Sequence, residues 1–139
     1  MTRRSWSWRG RNPAEMNPIV LIVDDEPHMR RITELSLRKA GYRILTARNG
    51  REALEVALRE QPALIVMDVT MPEMDGLEAL RQLKATPATA SIPVIMLTTR
   101  GQSGTRIEAE GSGAALYLTK PFSPSTLAAE ATRIIGGGV

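Results

Sequence analysis

The chain has 139 residues with 42% hydrophobic and 4% aromatic content. That is enough apolar material for one core, built from aliphatic side chains, and leaves little room for a second domain. It has no cysteine, which excludes disulfides, thiol chemistry and Cys-ligated zinc. The formal net charge of +3 is local: Arg3, Arg4, Arg9 and Arg11 against Glu15 give the leader +3, and the remaining 14 basic and 14 acidic side chains cancel. The basic pI therefore describes an end of the chain, and no nucleic-acid footprint is expected on the folded body.

Residues 1–18 mix Arg, Ser, Trp, Gly and Pro without periodicity and read as a disordered basic leader. Trp6 and Trp8 could stack on bases or rest at a membrane interface, and Met16 could be an alternative start. No apolar run follows the arginines, so the segment is not a secretory signal. No stretch reaches the ~18 residues of a membrane span. A cytoplasmic location without membrane contact is the default expectation.

From Ile19 two patterns alternate. Short runs apolar on both faces occur at 19–23, 63–67 and 92–97, with weaker ones at 42–47 and 114–118. Such runs suit strands of a parallel sheet covered by helices on both sides. Between them, residues 27–40 form an expected helix with Ile32, Leu35 and Lys39 on one side and Gly41 as its cap. Residues 51–60 offer Ala53, Leu54, Ala57 and Leu58 as a buried stripe between Asn49-Gly50 and Pro62. Leu77, Leu80 and Leu83 mark a third helix, and Leu127, Ala131 and Ile134 a last one. The stretch 102–110, with Ile107 and Ala109 as its anchors, reads as a short fourth helix. Residues 136–139 read as a flexible tail. Five strand–helix repeats predict a doubly wound α/β sandwich with strand order 2-1-3-4-5 or a close relative.

In such a sheet ligands sit at the carboxyl ends of the strands. The first run ends in Asp24-Asp25, the third in Asp68, the fourth in Thr98-Thr99, and the fifth leads to Lys120-Pro121. Each ending has an ordinary reading. Asp25 could cap the first helix, Asp68 could be a turn residue, Thr98 a β-former, and Lys120 a solvated loop residue. Together they crowd three carboxylates into one crevice, and two such charges ~4 Å apart repel by about 4 kcal/mol at an effective dielectric of ~20. Capping does not explain that cost, whereas a divalent cation does. Oxygen donors suit Mg²⁺, and one His with no Cys argues against zinc. A carboxylate beside a cation, an amine and a hydroxyl suits phosphoryl chemistry with Asp as nucleophile. No Walker A loop or kinase signature is present. His28 reads as a surface residue, and the seven methionines as core filler.

The segments LIVDDEP, VMDVTMPEMDG, IMLTT and YLTKPF, in that order, resemble the signature blocks of response-regulator receiver domains, over about residues 19–135. The resemblance implies a flavodoxin-like sheet and a two-component signalling domain rather than an enzyme, assisting its own phosphorylation and dephosphorylation. It implies Asp68 as phosphoacceptor, with Mg²⁺ held by Asp25, Asp68 and the carbonyl of Thr70, and by Asp24 through water. It also implies Thr98 and Lys120 as phosphate partners, a cis Lys120-Pro121 bond, and Thr98 with Tyr117 as switch residues. Phosphorylation would draw Thr98 inward and let Tyr117 fill the vacated space. The expected partners are a sensor histidine kinase or phosphotransfer protein, and a target docking on the face of the fourth helix, fifth strand and fifth helix.

Three departures from the family pattern stand out. Thr99 replaces a usual small residue, Arg100 and Thr70 occupy positions that tune dephosphorylation, and residues 101–113, glycine-flanked with Glu108 and Glu110 as their acids, depart from the usual pattern, so an unusual output helix is expected. For output, a single-domain regulator like those of chemotaxis is the first expectation. A receiver cut from a DNA-binding regulator is the second, and a small Mg²⁺-dependent phosphohydrolase the alternative of another class.

Overall fold

The computed structural model describes residues 17–69, 76–99, 113–120 and 122–136, without the side chain of Thr99. The expected helix at 102–110, Thr70, Met71, Met74, Asp75, Arg100 and the Lys120-Pro121 bond lie outside the described residues, as do residues 1–16 of the leader and 137–139. Five parallel strands are present: β1 Ile19–Val23, β2 Arg43–Ala47, β3 Leu64–Asp68, β4 Val94–Thr99 and β5 Leu116–Lys120. Their order is β2-β1-β3-β4-β5, as the crossover rule predicts. Among the described residues the helices are α1 Pro27–Lys39, α2 Gly50–Glu60, α3 Gly76–Ala85 and α4 Pro124–Gly136.

Side-chain alternation along the strands builds two cores. Leu21, Val23, Ile65, Met67, Val94 and Met96 point to one face, where α2 and α3 supply Ala53, Val56, Ala57, Leu77, Leu80 and Leu83. Val20, Ile22, Leu64, Val66, Ile95 and Leu97 point to the other, against Leu37 of α1 and Leu127 and Ala131 of α4. β3 is buried along its whole length, as a central parallel strand must be. The edge strand β5 is only half-buried.

Element ends follow local chemistry. Pro27 opens α1 at a position where a missing N–H costs nothing. At its other end Gly41, with φ of 102°, donates to Arg38 O while Tyr42 N donates to Leu37 O, the paired bonds of a Schellman stop. Asn49 caps α2 by accepting from Glu52 N, and α2 ends with Gln61 in the left-handed region at φ 50°.

Four expectations need correction. On α1 the buried residues are Thr33 and Leu37, while Ile32 and Leu35 are exposed. The helix crosses the sheet so that the i, i+4 pair Thr33 and Leu37 faces inward, and Thr33 satisfies its buried hydroxyl by donating to Met29 O at 2.9 Å. On α2 Val56 is buried and Leu58 is exposed, so the stripe runs through Gly50, Ala53, Val56 and Ala57. β4 and β5 begin two residues later than the apolar runs suggest, and Pro93, which has no N–H to give a ladder, directly precedes β4. Finally, Gly136 belongs to α4 rather than to a tail, because Ile134 and Ile135 pack on the second core and hold the last turn in place.

The corrected face of α1 gives a paired expectation. Leu37→Ala should cost about 2–5 kcal/mol by denaturant unfolding, whereas Leu35→Ala should stay within about 0.5 kcal/mol of the parent. Similar losses at both positions would contradict the packing described here.

Candidate functional site

The site is built by strand register. Val23 of β1 pairs with Met67 of β3, so the next residues, Asp24 and Asp68, stand side by side where the sheet ends. Asp68 in turn pairs with Leu97, which puts Thr98 one step further along the same rim, and Thr98 pairs with Thr119 next to Lys120. Asp24, Asp68 and Thr98 are buried and Asp25 is exposed. One carboxylate oxygen from each of Asp24, Asp25 and Asp68 lies within 4.8 Å of the other two. Lys120 Nζ donates to Asp68 Oδ2 at 3.1 Å and stands 3.9 Å from Asp24 Oδ2. Tyr117 sits half-buried against the core on the α2–α3 side of the sheet.

Asp25 is not the cap of α1. Glu26 is, its carboxylate accepting from His28 N at 2.9 Å and Met29 N at 3.1 Å. Those two backbone bonds hold the Glu26 carboxyl below its ordinary range. Pro27 at the first helical position leaves the next two N–H groups facing Glu26, whose longer side chain reaches back to them. Asp25 is thereby left to face solvent at the crevice, and His28 lies exposed, where the sequence put it.

Asp24 carries the strain of the cluster. Its N–H donates to Ala47 O and its Oδ1 accepts from Glu26 N at 2.9 Å, but its buried Oδ2 accepts no hydrogen bond among the described residues. Burial pushes its pKa up, the bond from Glu26 N opposes this, and the Asp68 charge adds to the rise. A buried carboxylate oxygen without a hydrogen bond, on a residue clustered with two further carboxylates, belongs to a donor set suited to a hard divalent cation such as Mg²⁺.

Gly76 fixes the backbone beneath this cluster. Its N–H donates to Val69 O at 2.8 Å. A Cβ added there would fall 2.2 Å from Asp68 O and 2.9 Å from Val69 Cα, so only glycine lets α3 start so close to the end of β3.

Sequence reasoning missed one contact. Arg30, on the second turn of α1, donates from Nη1 to Asp24 O at 2.7 Å. Nothing in the sequence sets it apart from Arg31. The signal is its spacing six residues past Asp24, which turns it back over the loop once the helix starts at Pro27.

A doubly wound parallel sheet with a carboxylate–lysine cluster at its rim, beside the β1–β3 switch point, defines a small class of α/β domains. The family model for the response regulator receiver domain matches residues 20–132, and the chain belongs to that family. It is 41% identical over 109 residues to the transcriptional regulatory protein SrrA of Staphylococcus aureus, covering 78% of this chain and 44% of SrrA. The chain thus spans less than half the length of that relative. Among solved structures, it is similar to the receiver domain of the sensor histidine kinase PA1611 from Pseudomonas aeruginosa, which has a magnesium ion coordinated in its active-site cleft. That match has 32% identity and a TM-score of 0.80, covering 86% of this chain and 98% of the other. It is similar also to the chemotaxis response regulator CheY4 of Vibrio cholerae, with 35% identity, a TM-score of 0.79, and coverage of 86% and 99%.

Two outcomes follow from the crowding. Asp24→Asn should raise the melting temperature in chelator by several degrees, on the order of 1–2 kcal/mol, by removing a buried charge. Because the folded-state pKa of Asp24 is raised, its favourable contribution is fully present below the unfolded value and fades as pH rises through the folded one. The advantage of Asp24→Asn should therefore shrink as pH falls through the raised folded-state value of Asp24 toward its ordinary value of 3.8. Thermal melts of both proteins across that range check it. Gly76→Ala, by contrast, should destabilise by more than the ~1 kcal/mol on which point substitutions centre, read from the same melts.

Proposed function

We propose that this domain accepts a phosphoryl group on Asp68 from a sensor histidine kinase or phosphotransfer protein, with Mg²⁺ as cofactor. The observation that carries this reading is the short Lys120–Asp68 contact beside the orphaned Oδ2 of Asp24. Asp24, Asp25 and Asp68 are the side chains to hold Mg²⁺, with the Thr70 carbonyl as a further ligand. A bound Mg²⁺ supplies positive charge to the oxygens of the transferring phosphoryl group.

In the transfer, a carboxylate oxygen of Asp68 forms a bond to phosphorus as the bond from phosphorus to the donor nitrogen breaks. The electron pair leaves with that nitrogen, which takes up a proton, and the product is an acyl phosphate. Lys120 offsets the charge carried by the new group, and the Thr98 hydroxyl donates to one of its oxygens. Burial of Asp68 and Thr98 keeps water from most of the site. Thr70, Thr99 and Arg100 tune the lifetime of the phosphate.

Residues 19–135 are the signalling unit in this reading, in keeping with the match over residues 20–132. The change at the rim reaches a protein target through Thr98 and Tyr117 and a face that includes β5 and α4. A second reading places the output in transcription control, favoured by the 41% identity to SrrA.

With a small phosphodonor and Mg²⁺, the parent chain should take up one hydroxylamine-labile phosphate. Asp68→Asn and chelator should each reduce uptake at least ~100-fold, as expected from loss of the nucleophile or the cation. Labelling of Asp68→Asn at the parental level sinks the assignment.

A further inference from the structure

We propose that Arg30 is a positioning residue for the cation site: its bond to Asp24 O locks the Asp24–Asp25 peptide and so sets where the Asp25 carboxylate stands. This rests on the reading that Asp24, Asp25 and Asp68 hold a divalent cation.

The polar groups of Asp24 give the reason. Its N–H is tied to Ala47 O on β2, its Oδ1 to Glu26 N, and its carbonyl to Arg30 Nη1 at 2.7 Å. Among the described residues only Oδ2 is left without a hydrogen bond. The carbonyl of Asp24 and the N–H of Asp25 belong to one planar peptide unit. Fixing that oxygen therefore fixes the plane from which Asp25 projects. Asp25 has no comparable anchor of its own, since the helix cap is made by Glu26 and Asp25 is exposed. Arg30 is itself held by helix α1, where its N–H donates to Glu26 O at 3.0 Å. The guanidinium thus ties the second turn of α1 to the acidic loop, and its planar fork keeps the direction of that bond.

The role has a sign that separates it from plain electrostatics. Removing a positive charge near a cation site should tighten cation binding by reducing repulsion. Removing a positioning group should weaken it, as loss of groups that orient metal ligands does, typically by 10–100-fold.

The experiment titrates Mg²⁺ into the full chain by calorimetry, for the parent, Arg30→Met, Arg30→Gln, Arg30→Lys and Asp25→Asn, and for Arg30→Met combined with Asp25→Asn. Arg30→Met should bind Mg²⁺ about tenfold more weakly. Arg30→Lys, which can still donate to the carbonyl, should recover part of the loss. In the Asp25→Asn background Arg30→Met should add less than about twofold, because the carboxylate it positions is gone. Melting curves in chelator confirm that each variant is folded, and Arg30→Gln serves in place of Arg30→Met if the latter is not. Unchanged or tighter binding in Arg30→Met, or an equal loss with and without Asp25, overturns the proposal. A parent chain that binds no Mg²⁺ overturns both this inference and the cation reading beneath it. A parent that binds Mg²⁺ while Arg30→Met binds equally well overturns this inference alone.

Discussion

Two neighbouring parallel strands end at the same height, each with a carboxylate, and everything else at the rim follows from that juxtaposition. The pairing of Val23 with Met67 is held by the two cores, since both strands are packed on each face and a shifted strand would lose that fit on both sides. The hydrophobic effect thus holds Asp24 and Asp68 together against their mutual repulsion. Lys120 spans both of them, 3.1 Å from one and 3.9 Å from the other, and is the only lysine in contact with them among the described residues. One ammonium against three carboxylates leaves the crevice acidic, an excess that suits a hard cation.

The polar groups around the crevice are used economically. Glu26 takes the helix-capping role that Asp25 would otherwise have, so the acid nearest solvent stays available. Asp24 spends its backbone groups and one oxygen on the scaffold and keeps the other oxygen for the site. Gly76 removes the one side-chain atom that would push Asp68 off its strand end. Each of these is a local choice of residue with a consequence several ångströms away.

Much of this was legible in the sequence. The five apolar runs identified the strands, and the polar endings of four of them lay at the rim, because in a parallel sheet all strands end on the same side. Strand order followed from the handedness of the crossovers. What could not be read was which side of a helix faces inward when apolar residues occur on more than one side. Ile32 and Leu35 looked like a core stripe, but the angle at which α1 lies on the sheet buries Thr33 and Leu37 instead. The cap assignment at Asp25 and the reach of Arg30 were hidden for a related reason: both depend on where the first turn of α1 begins, to within a single residue.

The edge position of β5 has a mechanical consequence. Asp68 closes β3, which is laddered on both sides by β1 and β4, whereas Lys120 closes β5, which is laddered to β4 alone. The acid is therefore seated on the middle strand of the sheet and the amine on one of its two edge strands, held by a ladder on one side only. Any load between the two side chains thus meets a firm anvil at one end and a yielding border at the other.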